Sequence, residues 1–276
     1  MVDYAAMQSM IREAIRPRSL PLAVRFLAEG ENFPEKTRQP RAFLKKRVTI
    51  CQGITMARLY GWSVGLKKED IICVPALLGW GMSGAANRDE EMKQLMQSVG
   101  FASSPAVAEA QLAEMHCVPE GAVHGILLTP LAKALHEPHT VAIHCNPAQA
   151  MRLVQALTYC GDGDVEGAVP CASVTGSFGG KVECLHTLYA PHALDAPRLA
   201  IPGMGDRIFS MTQDDELVVA FPGRWLPRVA LGLKEAGKAI GARYPVTFYQ
   251  NFEPEFPVPY KDTAARLGLF DDEGAS

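Results

Sequence analysis

The sequence predicts a mixed α/β protein in which helices flank a layered sheet. Three observations support this fold class. The chain has 276 residues, 48% of them hydrophobic and 21% charged, which is ordinary globular composition. Segments with apolar residues at helical spacing follow short apolar runs typical of strands. The third is a strand–turn–helix unit at 140–159, a signature of an α/β layer. An α+β arrangement is the other form this pattern allows.

The elements follow in order from periodicity and from Gly, Pro and capping residues. Pro17 ends the first helix, Ser104 with Pro105 begins a later one, and Asn146 with Pro147 begins the helix of the strand–turn–helix unit. We expect helices at 4–15, 51–60, 88–99, 105–115, 148–159 and 224–236, strands at 22–27, 125–131, 140–145, 198–201, 206–211 and 216–220, and a short strand or strand-to-helix corner at 70–78.

The domain organisation is expected to be one large domain over 1–276, or two interlocked lobes. The Gly-rich stretch 160–181 is read as a long functional or connecting loop, and the one candidate lobe boundary lies in it, near residue 165. The acidic tail 271–276 is expected to be flexible. Neither an internal repeat nor a low-complexity linker is present in the sequence.

Charge and cysteine content narrow the function classes. A net charge of −3 gives no basic footprint, so a nucleic-acid partner is not expected. The sequence lacks an uninterrupted apolar run of about 18–20 residues and a signal peptide, which predicts a soluble cytoplasmic protein without a membrane partner. Seven cysteines fit reduced cytoplasmic thiols better than a set of disulfides. Oligomeric state stays open.

Several motifs do not match the chemistry they suggest. The run 176–182 has three residues before its Gly-Lys, where a phosphate loop needs four, and valine where that loop needs Ser or Thr. Pro138 separates Glu137 from His139, which excludes the zinc-protease helix and favours a polar turn. A nucleophile elbow is absent around Ser173 and Ser177. The acidic run 214–216 is interpreted as a solvated turn before a strand.

The seven cysteines contain no Cys-x-x-Cys pair, so zinc-ribbon and ferredoxin spacings are absent. Cys51 opens a predicted helix, where the helix N-terminus favours a thiolate. Cys184 follows the Gly-rich stretch. Cys160 at a helix end fits the role of a small hydrophobe. Asn146 follows a strand and precedes a helix, a position where open α/β sheets bind ligands.

Six sequence blocks together resemble domain-of-unknown-function family 169, over about residues 21–245. The blocks are PLAVRFL (21–27), CQGITMAR (51–58), EDIICVPA (69–76) with LG (78–79), CNPAQAM (145–151), GDR (205–207) and DELVVAFPG (215–223). The resemblance implies three cysteines to watch, which correspond to Cys51, Cys73 and Cys184. The family often has a further cysteine just before Gly-Asp-Arg, where this chain has Met204. Either Cys171 or Cys117 then supplies a fourth thiolate, or the site has three.

We therefore expect a cysteine-ligated iron–sulfur centre, or another metal centre, with Cys51, Cys73 and Cys184 as ligands. Four thiolates suit electron transfer or structure, whereas three leave a metal position open for Lewis-acid chemistry on a small organic anion. Arg207, Arg58 and Asn146 are the candidate substrate-binding residues, with a structural salt bridge as the alternative for each arginine. Two other functions stay open. One is a metal-free protein or enzyme that binds a small anion through 176–181 and the helix at Pro147. The other is a structural zinc protein, or a subunit of a larger complex.

Overall fold

The computed structural model describes residues 2–159, 184–246 and 257–269, and within them it has the predicted mixed α/β architecture. A six-stranded sheet has the order β2-β3-β1-β4-β6-β5 and is flanked by helices on both faces. Its strands are β1 Leu22–Leu27, β2 Val64–Leu66, β3 Gly125–Pro130, β4 Thr140–Cys145, β5 Arg198–Ala200 and β6 Leu217–Pro222. The helices are α1 Tyr4–Ile15, α2 Pro40–Phe43, α3 Ile50–Arg58, α4 Val74–Gly79, α5 Arg88–Ser98, α6 Pro105–Ala113, α7 Pro147–Tyr159, α8 Ala190–Ala193, α9 Met204–Phe209, α10 Leu226–Glu235 and α11 Val258–Leu267.

The strand pairings described for this sheet are antiparallel. β1 lies near the centre, paired along its length with β3 and over its first half with β4. β4 pairs with β6 from Thr140 opposite Pro222 to Cys145 opposite Leu217. The carboxyl end of β4 therefore lies beside the start of β6. Ligand sites at the carboxyl ends of strands are typical of parallel sheets, in which those ends lie together. In this antiparallel arrangement the carboxyl end of β4 does not lie among other carboxyl ends.

The two faces of the sheet carry two separate apolar cores, as strand alternation requires. On β1, Leu22, Val24 and Phe26 face a core built with α3, α4, α5, α6 and the π-helix Leu185–Tyr189. Ala23 points to the other core, built with α1, α7 and α10. We call the side of the sheet that carries Leu22, Val24 and Phe26 the first face, and the side that carries Ala23 the second face.

Two segments differ from the sequence prediction. The predicted strand 206–211 is helix α9, in which Asp206 is buried while Ile208 and Phe209 are exposed. The prediction assumed that apolar residues belong to the core. It therefore gave a strand where the structure has a helix whose apolar residues lie outside the core. The segment 70–78 contains no strand of the sheet: a 3₁₀ turn at Lys68–Asp70 and an isolated bridge between Val48 and Ile71 lead into α4.

Further elements were not predicted at all, among them β2, α11 and the π-helix. β2 is three residues long and α11 has one buried residue, so neither leaves a clear pattern. Three predictions fall outside the described residues: the candidate lobe boundary near residue 165, the loop 160–181 and the tail 271–276. Among the residues that the structure describes, no helix is long and apolar enough to cross a membrane.

Candidate functional site

The site begins where α3 and α4 start next to each other. Thr49 caps α3 by accepting a hydrogen bond from the backbone N–H of Gln52 at 3.0 Å, and the Gln52 side chain accepts from the Thr49 N–H at 2.8 Å. Two backbone bonds join Val48 to the segment before α4: Val48 N–H donates to Asp70 O at 2.8 Å, and Ile72 N–H donates to Val48 O at 2.9 Å. The amino-terminal ends of the two helices therefore lie side by side.

Each of these helix starts carries a half-buried thiol. Cys51 lies in the first turn of α3, and Cys73 is the N-cap residue of α4. The unpaired N–H groups of a helix N-terminus favour a thiolate over a thiol. Two of the three cysteines implied by the resemblance thus lie at adjacent helix starts on the first face of the sheet.

Cys51 also forms a hydrogen bond with a buried carboxyl group. Its thiol donates a hydrogen bond to Asp206 of α9, and burial raises the pKa of Asp206 above its ordinary value, against the opposing effects of Cys51, Arg58 and Ser210. Cys51, Thr55 and Arg58 are spaced as i, i+4 and i+7, so they share the side of α3 that faces α9. Thr55 fixes this packing by donating to the Ser210 carbonyl at 2.6 Å.

Arg58 lies at the buried end of the same side of α3. Its guanidinium holds Glu216 through Nη1–Oε1 at 3.0 Å and Nη2–Oε2 at 3.3 Å, and it also donates to Ser19 and to the Ser210 carbonyl. Arg58 is therefore engaged inside the fold, which matches the salt-bridge alternative. Glu216 is buried, so its interpretation as part of a solvated turn was wrong, although Asp214 and Asp215 are exposed.

His144 lies close to Arg58 on the same face of the sheet. Burial, reinforced by the positive charge of Arg58, holds the pKa of His144 well below its ordinary value. Its Nδ1 has no hydrogen-bond partner within the ranges that the structure describes. The imidazole is therefore a neutral, buried group next to the Arg58–Glu216 pair.

Cys184 lies on the first face as well, at the N-cap of the π-helix. The Trp80 indole N–H donates to its Sγ at 3.1 Å, and Trp80 in turn packs against Phe26 and Tyr189. π-Helices are rare and recur at functional sites. The third cysteine that the resemblance implies is thus a buried hydrogen-bond acceptor in the aromatic part of this core.

The remaining cysteines divide between the two faces. Cys117 packs against the first core, and burial raises the pKa of its thiol, opposed by the nearby Arg88. Cys145 belongs to the second core, where burial raises the pKa of its thiol to about 12. Cys171 lies outside the described residues.

No group of three or more His, Cys, Asp or Glu side chains is placed to hold a metal ion within 2–159, 184–246 and 257–269. The structure thus places Cys51, Cys73, Cys117 and Cys184 in one layer without gathering them around one point. In this arrangement the Cys51 side chain is hydrogen-bonded to Asp206, and the Cys184 side chain is hydrogen-bonded to Trp80.

The other two candidate substrate-binding residues differ in their surroundings. Arg207 follows Asp206 in α9, is partly exposed, and donates to the Gln213 carbonyl at 2.9 Å and to Asp214 at 3.3 Å. Asn146 accepts from the Gln149 N–H at 2.9 Å, and the Gln149 side chain accepts from the Asn146 N–H at 2.7 Å. Asn146 therefore caps α7 itself, while Arg207 lies at the solvent edge of the Cys51–Asp206 pair.

Sequence reasoning missed Asp206, Glu216 and His144 as members of this polar cluster. The available signal for Asp206 was its place in the Gly-Asp-Arg block; Ser210 follows four residues later, and its hydroxyl donates to the Asp206 carbonyl at 2.6 Å. A single polar pair at that spacing is compatible with a helical turn but does not by itself distinguish a helix from a strand. Glu216 and His144 carry no comparable local signal.

The model of domain-of-unknown-function family 169, described as uncharacterised ArCR, matches residues 10–232. Neither a curated protein nor a solved structure matches the chain.

Proposed function

This chain belongs to domain-of-unknown-function family 169, and from that premise we propose that it binds a cysteine-ligated metal centre, for which an iron–sulfur cluster is the leading candidate. One observation carries the proposal. Two cysteines lie at helix starts that are hydrogen-bonded side by side, and one of them, Cys51, is already joined to the Asp206 carboxylate. Thiolates are the ligands that iron–sulfur clusters and zinc prefer.

The types of residue available as ligands suit such a centre. Metal binding requires a thiolate, which the N-terminus of α3 favours at Cys51, and the neighbouring Asp206 carboxyl group is placed to accept the proton of the thiol. Cys73 is the N-cap residue of α4, next to the start of α3. Cys184 is the third proposed ligand, and it would exchange the hydrogen bond from Trp80 for the metal. Cys117 or Cys171 is the proposed fourth.

The position before Gly-Asp-Arg supports a site with an open coordination position. Met204 is exposed at the start of α9, two residues from Asp206. The resemblance implies a cysteine at this position in many members, so methionine here leaves the site with one thiolate fewer. Three thiolates would leave one metal position for a small organic anion, and Arg207 at the solvent edge would bind that anion's carboxylate. The proposed location is the cytoplasm, where thiols stay reduced.

The test is anaerobic purification, a visible spectrum, and assays of iron, acid-labile sulfide and zinc. A brown protein with iron and sulfide in near-equal amounts supports the proposal. Stoichiometric zinc that is lost only on unfolding would instead favour a structural zinc protein or a subunit of a larger complex. Protein that lacks iron and sulfide after anaerobic reconstitution contradicts the iron–sulfur centre.

A further inference from the structure

A cavity of about 600 Å³ lies on the second face of the sheet, away from the cysteines. Its floor includes Ala23, Arg25, Leu127 and Thr129, which alternate along β1 and β3 with residues of the first core. α1, α7 and α10 build their core on this face over β4 and β6. The cavity therefore occupies the half of the second face beyond those three helices, and its size is that of a small-molecule site.

Positive charge dominates the cavity lining. Arg25, Lys36, Arg38 and Lys133 line it, and of the lining residues in the described ranges only Glu35 carries a carboxylate. Arg25 is paired with Glu31 outside the lining, at 3.2 Å. The other three basic groups form no ion pair with the parts of the chain that the structure describes. Lys133 Nζ donates instead to the Gly61 carbonyl at 2.6 Å.

Arg38 is held in a fixed orientation at this cavity. Its backbone is bonded to the start of β2, with N–H to Ser63 O at 2.8 Å and carbonyl to Gly65 N–H at 3.0 Å. Its guanidinium lies 4.0 Å from the ring centre of Trp62 and 4.9 Å from that of Phe43. Stacking on aromatic faces leaves the N–H edge of a guanidinium available for a carboxylate, and a pre-oriented group loses less entropy on binding.

The rest of the lining is largely apolar. Trp62, Leu127, Leu135 and Pro138 contribute hydrophobic surface, and the hydroxyls of Ser63 and Thr129 bond to each other at 2.9 Å. An apolar cavity with a few convergent polar groups is typical of ligand sites that fix a ligand's orientation. The cationic side chains favour a ligand with a negative charge, and the apolar walls favour a ligand whose remaining part is hydrophobic.

We propose that this cavity binds a small organic carboxylate with an apolar body, which places its carboxylate on Arg38 and Lys133 and its body against Trp62 and Leu127. This site does not depend on the proposed metal centre, because the two lie on opposite faces of the sheet.

Calorimetric titration with 2-naphthoate tests the proposal, with neutral 2-naphthalenemethanol as the ligand of matched shape and inorganic phosphate as the anion without an apolar body. We expect one naphthoate per chain, bound at least about tenfold more tightly than either of the other two, because a charge-assisted hydrogen bond contributes roughly 1.5–3 kcal/mol. Arg38→Gln and Lys133→Gln should each weaken naphthoate about tenfold. Arg12→Gln, on the exposed side of α1, is the control and should leave binding unchanged.

Lys133 is exposed, so its variant keeps the test valid if Arg38→Gln fails to fold. Equal affinity for naphthoate and the neutral alcohol would overturn the proposal. So would naphthoate binding that Lys133→Gln leaves unchanged, phosphate binding tighter than naphthoate, or an absence of naphthoate binding at millimolar concentration.

Discussion

Asp215 and Glu216 are neighbours of the same charge whose arginine partners lie in different environments. Asp215 pairs with Arg18 at 2.8 Å, with side chains 49% and 59% exposed. Glu216 pairs with Arg58 at 3.0 Å, with side chains 4% and 1% exposed. Water screens the first pair, whereas removal of one partner from the second leaves a charge buried without compensation.

We therefore expect Glu216→Gln to lower the free energy of unfolding by about 3–5 kcal/mol, and the matched control Asp215→Asn to lower it by at most about 1 kcal/mol. Urea unfolding at pH 7, followed by circular dichroism, measures both values. Equal losses in the two variants would contradict the assignment of Arg58 to a structural pair. The contrast also explains a failed prediction, because the sequence of an acidic run does not reveal which of its members a distant arginine will hold.

His139 provides a pH-dependent test. Its Nδ1 accepts the Phe26 N–H at 2.9 Å, and burial, together with His192 and Arg25 and against Glu31, lowers its pKa to about 4. The folded state therefore favours the neutral ring. This contribution to stability is fully present above the ordinary pKa of 6.5 and is lost as pH falls from 6.5 towards 4.

We expect His139→Gln, which retains an acceptor but does not titrate, to reduce the loss of stability between about pH 6.5 and 4. Urea midpoints of wild type and variant across this range make the comparison, with His136→Gln as a control in the same turn. A wild-type midpoint that declines no more steeply than that of His139→Gln would contradict the expectation.

Two glycines within helices show how closely the elements approach each other. At Gly232 of α10, an added Cβ would lie 2.6 Å from the Ala156 Cα of α7 and closer still to its carbonyl oxygen. At Gly53 of α3, an added Cβ would meet the Leu66 Cδ1 at 2.9 Å, which is the end of a flexible side chain. Backbone cannot move aside as a side chain can, so the first position is the less tolerant.

Gly232→Ala should therefore destabilise the protein by about 1–3 kcal/mol despite the higher helix propensity of alanine, through overpacking of α10 on α7. Gly53→Ala is the matched control and should change stability by less than about 1 kcal/mol, because the helix gain offsets a small side-chain shift. Thermal unfolding of both variants tests the ranking. A more stable Gly232→Ala would show that α7 and α10 separate readily.

Long elements with a regular apolar face were predictable from the sequence, whereas elements defined by polar contacts were not. α1 has Ile11 and Ile15 buried at helical spacing and an Asp3 cap, and its predicted bounds are confirmed. α9 buries Asp206 instead of its apolar residues, so hydrophobic pattern gave the wrong element. Local patterns predict helices that pack by apolar contact, but not a helix held by a buried carboxyl group.

At the scale of the whole molecule, strands from both sides of residue 165 join one sheet among the described residues. β4 comes before that position and pairs along its full length with β6, which comes after it. We therefore predict a single cooperative unfolding transition, with coincident midpoints from tryptophan fluorescence and far-ultraviolet circular dichroism. Separate transitions would indicate two lobes that unfold independently.

The sheet also separates the cysteines by face, which the sequence could not have predicted. Cysteine spacing contains no metal motif; the positions of Cys51 and Cys184 along the sequence drew attention to them, and the family resemblance added Cys73. The fold places all three on the first face, and Cys145 on the second, because β4 alternates its side chains between two cores. Whether thiols converge depends on long-range packing, which local spacing does not encode.

The most direct measurement is the iron bound by Cys51→Ala and by Cys145→Ala after identical anaerobic reconstitution. Cys145 is the matched control, since it is a buried cysteine of the second core. We expect Cys51→Ala to lose the cluster absorbance and most of its iron, while Cys145→Ala retains both in the amounts found for wild type. Equal iron in the two variants, or none in wild type, would contradict a metal centre built on Cys51.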